Sequence, residues 1–179
     1  VFVKTFVEVF IKMALLPILH YPDARLHLQA TEVTEFNQEL KQLVADMVET
    51  MHDSNGVGLA ATQVNIQKRL FIIDLAKEGE KRKLIVFINP KILTKSGEVR
   101  GDEGCLSVPG IFEPVTRAEK ISVAYQDLTG EPQLLECSGI QAICIQHEND
   151  HLDGKVFVDY LSGLKQNFIK RKMKKLFRD

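Results

Sequence analysis

The sequence predicts an α+β fold: mainly antiparallel sheets packed around one buried central helix, with a further helix at the C-terminus. Three observations carry this. Short β-type runs are separated by turn signals, as in "LFIID", "LIVFI", "ISVAY" and "QLLEC". Only two or three long helical patterns are visible, and they do not alternate regularly with the strands, which argues against a doubly wound α/β sheet. One of those helices carries "IQAICI", apolar on nearly every face, and so belongs inside the molecule.

The 179 residues are one domain's worth and can bury a full core. Apolar residues make up 45% and charged residues 26%, the balance of an ordinary globular protein. A formal net charge of −1 offers no overall argument for nucleic-acid or membrane binding. Three cysteines, an odd number, argue against a disulfide scaffold and for a reducing, cytoplasmic setting. No apolar run reaches the length of a membrane span.

Taken in order, residues 1–12, "VFVKTFVEVFIK", stand apart. Lys4, Glu8 and Lys12 share a helical face, so the stretch could be an amphipathic anchor. It lacks the layout of a signal peptide, and Met13 opens an ordinary start, so it reads better as an upstream extension. Residues 13–179 then read as a single domain. Phe36, Leu40, Leu43, Val44, Met47, Val48 and Met51 recur at helical spacing. Thr34 is the expected N-cap of that helix and Asn55-Gly56 its stop. Strands are expected from Leu70, Leu84, Ile121 and Gln133, with "DLTGE" from Asp127 as a turn. Ser138-Gly139 opens the second helix and Gly154 closes it. The third helix runs from about Ser162 to the end.

The second helix holds "QHENDH". His147 and His151 are four apart, so their rings share one face and can meet on one metal ion. Glu148 lies beside them, placed to handle the proton of an activated water. Two histidines do not complete a catalytic site. One class of zinc peptidase takes a third histidine ten residues after the first, but that position is Phe157. Another takes a downstream glutamate, and none follows Glu148. Upstream, Cys105 in "DEGCLSVPG" offers a thiolate, a good ligand for a borderline-soft divalent ion. Cys, His and His leave the fourth position open for water. Cys144, three residues before His147, would crowd the metal and reads as a pocket wall, while Cys137 reads as structural. In "GVGLAATQV", glycines allow a ligand backbone to come close, and Gln63 offers an N–H donor to a developing oxyanion.

The trio "GVGLAATQ", "EGCLS" and "QHENDH" resembles the three signature motifs of peptide deformylase, in the same order, and the similarity runs from about Met13 to the C-terminus. The stretch "RAEKISVAYQDLTGE" is similar to the family's bacterial members. The resemblance implies removal of the formyl group from the N-terminal formylmethionine of nascent polypeptides. It implies Cys105, His147 and His151 as ligands of one divalent ion, Glu148 as general base and acid, and Gln63 with the Leu106 backbone N–H as oxyanion donors. It places Val57, Gly58, Glu103, Gly104, Ile140, Ile143 and Cys144 around the methionine pocket. Ferrous iron is the implied native ion, with zinc, nickel or cobalt able to occupy the site. Phe112 departs from the pattern, standing where some relatives carry arginine.

The C-terminal segment "LKQNFIKRKMKKLFRD" sets Lys165, Lys170, Arg171, Lys172, Lys174, Lys175 and Arg178 against Asp179 alone. Basic residues suit a helix C-terminus and a solvated face. The sharper expectation is ribosome contact through RNA phosphates. The chain is expected to act as a monomer. Two rival readings remain at this stage: a general metallopeptidase, and a non-catalytic ribosome-associated module.

Overall fold

The computed structural model describes residues 14–76 and 82–177, so the expectation for residues 1–12 lies outside the described residues, as do Arg178 and Asp179. Among the described residues, seven strands and three α-helices follow in the order α1 (Gln38–Asp53), β1 (Gly58–Ala60), β2 (Leu70–Asp74), β3 (Leu84–Ser96), β4 (Val99–Glu103), β5 (Glu113–Arg117), β6 (Lys120–Gln126), β7 (Pro132–Ser138), α2 (Gly139–Leu152) and α3 (Gly163–Leu176). Five strands form one sheet in the order β1-β2-β3-β6-β7, and β4 and β5 form a second of two. Every paired neighbour is antiparallel, so the α+β expectation holds.

β2 reads as a continuous apolar run because both its faces are covered. All five of its residues are buried, and β2 runs antiparallel to β3. Phe71, on β2, stacks on Phe87 of β3 with centroids 4.7 Å apart, and Phe87 meets Tyr125 of β6 at 4.4 Å. The Asp127–Glu131 turn is held by one carboxylate. Asp127 accepts from the Thr129 amide (2.9 Å) and hydroxyl (2.6 Å) and from the Glu131 amide (3.1 Å).

α1 begins later than the hydrophobic stripe suggests. Its N-cap is Asn37, whose side chain accepts from the Leu40 amide at 3.0 Å, and not Thr34. Asn is a stronger cap than Thr, and Phe36 joins the core from outside the helix. Leu40, Val44, Met47 and Met51 are buried, as their spacing requires. Asn55 takes a left-handed conformation just past the end.

α2 differs from the expectation at its start. Ile140 is 64% exposed, and Ile143 and Cys144 are half-buried. The opening turn follows directly from β7, whose residues are mostly exposed, so it has little to pack against. The turns that follow, with Ile145, Gln146, His147, Glu148, His151 and Leu152, are buried. They meet β1 and β2, so α2 carries its polar motif into the interior.

β4 and β5 were not expected. "VRGDE" and "EPVTR" are short and mostly polar, and each shows an apolar face only through isolated residues. Their pairing, with Glu103 opposite Glu113 and Val99 opposite Arg117, places the Cys105 loop against α2. α3 buries Ile169 and Met173, and its lysines face outward. No helix among the described residues is long and apolar enough to cross a membrane.

Candidate active site

One turn of α2 separates His147 from His151, and their rings meet edge-on with centroids 4.9 Å apart. Cys105 reaches them from the loop after β4. Its Sγ lies 3.2 Å from His151 Nε2. The loop is pinned where it turns: the Val108 amide donates to the Cys105 carbonyl at 2.8 Å, and the Tyr21 amide to the Ser107 carbonyl at 2.8 Å. One ligand atom from each of Cys105, His147 and His151 lies within 4.8 Å of the others. A soft sulfur and two imidazole nitrogens converging this closely fit a first-row divalent cation.

His147 is oriented from behind. Its Nδ1 lies 2.8 Å from Glu103 Oε2, which leaves Nε2 for the Cys105 side. Glu103 is itself gripped by Arg117, with Nε to Oε1 at 2.7 Å and Nη2 to Oε2 at 3.0 Å. Arg117 Nη1 reaches Asp150 at 2.5 Å, and its guanidinium lies 4.9 Å over the Tyr160 ring. Tyr160 donates its hydroxyl to the same Asp150 carboxylate at 2.8 Å. Burial works to raise the Glu103 pKa, but the Arg117 and His147 contacts outweigh it and hold the carboxyl down at about 2. Burial likewise opposes charge on His147, yet its hydrogen bonds to Cys105 and Glu103 carry its pKa well above the ordinary value. The pKa of His151 is driven well below the ordinary value by burial and by the charges of His147 and Arg117.

Glu148 is different from Glu103. Burial pushes its carboxyl up to about 7, with His147 opposing and Glu103 adding to the rise. Its Oε2 has no hydrogen-bond partner. Its Oε1 lies only 2.4 Å from where a Cβ on Gly58 would stand, so a side chain at that position would have to displace the Glu148 carboxylate. A buried carboxylate with a spare lone pair and a pKa near neutrality is poised to take and return a proton.

Gln63 is fixed at both ends. Its Oε1 accepts from the Ala60 amide at 2.8 Å, while Nε2 donates to Ser107 Oγ at 3.1 Å and to Cys105 Sγ at 3.3 Å. The cleft in front of these groups has a volume of about 440 Å³. Val57, Gly58, Gln63, Gly104, Cys105, Leu106, His147 and Glu148 line it. Of the other residues expected there, Glu103 lies behind His147, and Ile140, Ile143 and Cys144 are not among its lining residues. Burial pushes the Cys144 thiol up to about 12, so it behaves as an apolar filler.

Sequence reasoning missed Arg117, Asp150, Tyr160 and Ser107. A signal for Arg117 existed: it shares the inward register of β5 with Val115, and a charge at a core-facing position of a strand needs a buried partner.

A family model described as Polypeptide deformylase matches residues 15–167. The chain is 55% identical over 163 residues to a peptide deformylase of Chromobacterium violaceum, covering 91% of this chain and 96% of that one. It is 53% identical to a peptide deformylase of Neisseria gonorrhoeae, with the same coverage of 91% and 96%. A crystal structure of a peptide deformylase from Legionella pneumophila matches with a TM-score of 0.87 and 45% identity, covering 92% of this chain and 96% of that chain. One from Ehrlichia chaffeensis in complex with actinonin matches with a TM-score of 0.89 and 42% identity, covering 93% and 100%.

Proposed function

The chain belongs to the polypeptide deformylase family, and on that premise we propose that it hydrolyses the formyl group from the N-terminal formylmethionine of newly made polypeptides, using one divalent ion held by Cys105, His147 and His151. The observation that carries this reading is the convergence of that thiol and two imidazoles beside Glu148, whose buried carboxyl is unpartnered at Oε2 and has a pKa of about 7.

The ion supplies Lewis acidity, which makes water acidic enough to lose a proton near neutral pH. The remaining steps fall to the chain. Glu148 accepts the proton of the attacking water, and the resulting hydroxide adds to the formyl carbon. Charge then develops on the formyl oxygen. Gln63 serves as one donor to it: Oε1 is pinned by Ala60, so the NH2 end faces Ser107 and Cys105, and the N–H held by Cys105 Sγ is given up to the oxyanion. The Leu106 N–H is the second donor. Glu148 returns its proton to the methionine nitrogen as the C–N bond breaks, releasing formate and a free amine. The Glu103–Arg117 pair keeps His147 in the tautomer and rotation that leave Nε2 available.

The resident ion is ferrous iron, with zinc, nickel or cobalt as substitutes that the same sulfur and nitrogen donors accept. A thiolate beside ferrous iron makes oxygen the expected route of inactivation. The chain acts in the cytoplasm as a monomer. The lysines and arginine of α3 meet ribosomal RNA phosphates near the emerging nascent chain. Ribosome co-sedimentation that falls with salt, and falls again when Lys170, Lys172, Lys174 and Lys175 are changed to glutamine, supports that contact; indifference to both refutes it.

The deciding experiment is formate release from a formyl-Met tripeptide by protein loaded anaerobically with ferrous iron, or with nickel as a stable stand-in. Rapid release, abolished by chelator and absent with acetylated peptide, is expected. A folded, fully metallated protein that releases nothing refutes the activity.

A further inference from the structure

β2 is an apolar run that ends on a buried carboxylate, Asp74, whose side chain is 3% exposed. A charge in that position is costly unless donors meet it. Oδ1 accepts from the Ala76 amide at 3.2 Å and the Lys83 amide at 3.1 Å. Oδ2 meets Nε2 of His52, in the last turn of α1, at 3.2 Å, and Arg82 Nη1 from the solvent side at 3.6 Å. A carboxylate only accepts, so His52 donates to it from Nε2. The backbone of Asp74 makes a separate link: its amide donates to the Val57 carbonyl at 2.9 Å.

Val57 belongs to residues 54–58, all of which line the cleft. The other end of this wall hangs from α1: the Asn55 amide donates to the His52 carbonyl at 3.0 Å, and the Gly56 amide to the Met51 carbonyl at 2.8 Å. The contacts close a circuit. It runs from His52 along the wall to Val57, crosses to Asp74 through the backbone, and returns to His52 through the side chains. The wall so held is wedged between two parts of the reacting centre. A Cβ on Gly56 would stand 2.7 Å from Leu106 Cδ1, and one on Gly58 would stand 2.4 Å from Glu148 Oε1. We propose that His52, acting through Asp74, is a positioning residue for the reaction: the contact holds residues 54–58 at the spacing from Leu106 and Glu148 that receives the formylated peptide. This rests on the deformylase reading. Neither His52 nor Asp74 lines the cleft, so both act through the wall. A wall released at this contact must be ordered again each time a peptide binds, which raises KM roughly 3–10-fold.

The test compares the metal-loaded protein with two variants: His52→Phe, which keeps a ring and loses the donor, and His52→Gln, which restores a donor. Amide hydrogen exchange is read first, without peptide. Protection of the Asn55, Gly56 and Asp74 amides falls about 3–10-fold in His52→Phe and returns in His52→Gln. Formate release from a formyl-Met tripeptide then shows KM raised about 3–10-fold in His52→Phe, with kcat held within about two-fold, and KM restored in His52→Gln. A purely structural role for His52 would lower Tm and leave KM where it was. Unchanged KM in His52→Phe, with or without a change in exchange, therefore overturns the positioning role, and so does a raised KM that His52→Gln fails to restore. No formate from the unaltered protein overturns the deformylase reading and the role in the reaction with it, while unchanged exchange in His52→Phe overturns the circuit whatever the activity.

Discussion

Arg117→Met tests whether the buried charge row behind His147 stabilises the fold or merely breaks even. The side chains of Arg117 and Glu103 are each 6% exposed, so solvent does little to screen them. Removing the guanidinium leaves Glu103 facing His147 alone and Asp150 with Tyr160. The Glu103 carboxyl stands at about 2 in the fold against an ordinary 4.5. At about 1.4 kcal/mol per unit, that difference corresponds to about 3 kcal/mol, shared between Arg117 and His147. Breaking a buried pair from one side costs about 3–5 kcal/mol in general, so about 3 kcal/mol is the expected loss at neutral pH. For a chain of this size that lowers Tm by roughly 6–12 °C. The sign with pH follows from a depressed folded pKa. The contribution is fully present above the unfolded value of 4.5 and is lost as pH falls from there through about 2. Urea denaturation of wild type and variant, with metal loaded, should show a constant gap from pH 7 to pH 5 that narrows below about 4.5. A double-mutant cycle with Glu103→Gln should couple the two sites by more than about 1.5 kcal/mol. A loss below about 1 kcal/mol at pH 7, or a gap that does not narrow in acid, would refute this reasoning and make the row a break-even pair.

Glu148→Gln should keep its metal and lose roughly 10²–10⁴-fold in kcat, checked by metal analysis beside formate release; near-normal turnover removes the proton-transfer role. Cys105→Ser should lower metal affinity or change the metal retained, and unchanged content after dialysis against chelator would exclude Cys105 as a ligand. Gly58→Ala forces its Cβ against Glu148 Oε1. It should cut kcat by at least about ten-fold through displacement of the carboxylate, with far-UV circular dichroism unchanged; full activity would mean that Glu148 has a second workable position.

Much of the site was legible because helical geometry is rigid. A four-residue interval on a helix fixes two rings on one face whatever the surroundings, so His147, His151 and the intervening Glu148 could be read directly. Cys105 was legible only by elimination, since nothing in "DEGCLSVPG" dictates that its loop folds over α2. The α1 stripe was read correctly, but its cap was not, because Thr34 and Asn37 are both competent and tertiary packing of Phe36 decides between them. The two-stranded sheet was not legible. Its pairing is long-range, and its strands are too short and polar for a period to show. Glu103 was placed around the methionine pocket by the family resemblance alone; its carboxylate is taken up by Arg117 and by the Nδ1 of His147.

The small sheet explains how a helix can carry four ionisable groups into a protein interior. α2 supplies His147, Glu148, Asp150 and His151 within little more than one turn, and three of the four are buried. Isolated, each ionised member would cost several kcal/mol. β4 and β5 answer with Glu103 and Arg117, so that Asp150, Arg117 and Glu103 form a row of alternating sign that ends on the Nδ1 of His147, each group touching its neighbours. Glu148 is left out of it, buried without a charge partner at Oε2, and its carboxyl therefore sits near neutrality while that of Glu103 sits at about 2. Two carboxyls of nearly the same intrinsic strength are separated by about five units through placement alone. On the proposed deformylase reading, Glu103 is a permanent anion that orients a ligand and Glu148 a base that can be used and regenerated. The same two strands that orient His147 also flank the loop that delivers Cys105, so the register of β4 against β5 sets the geometry of the candidate ligands and the charge row together.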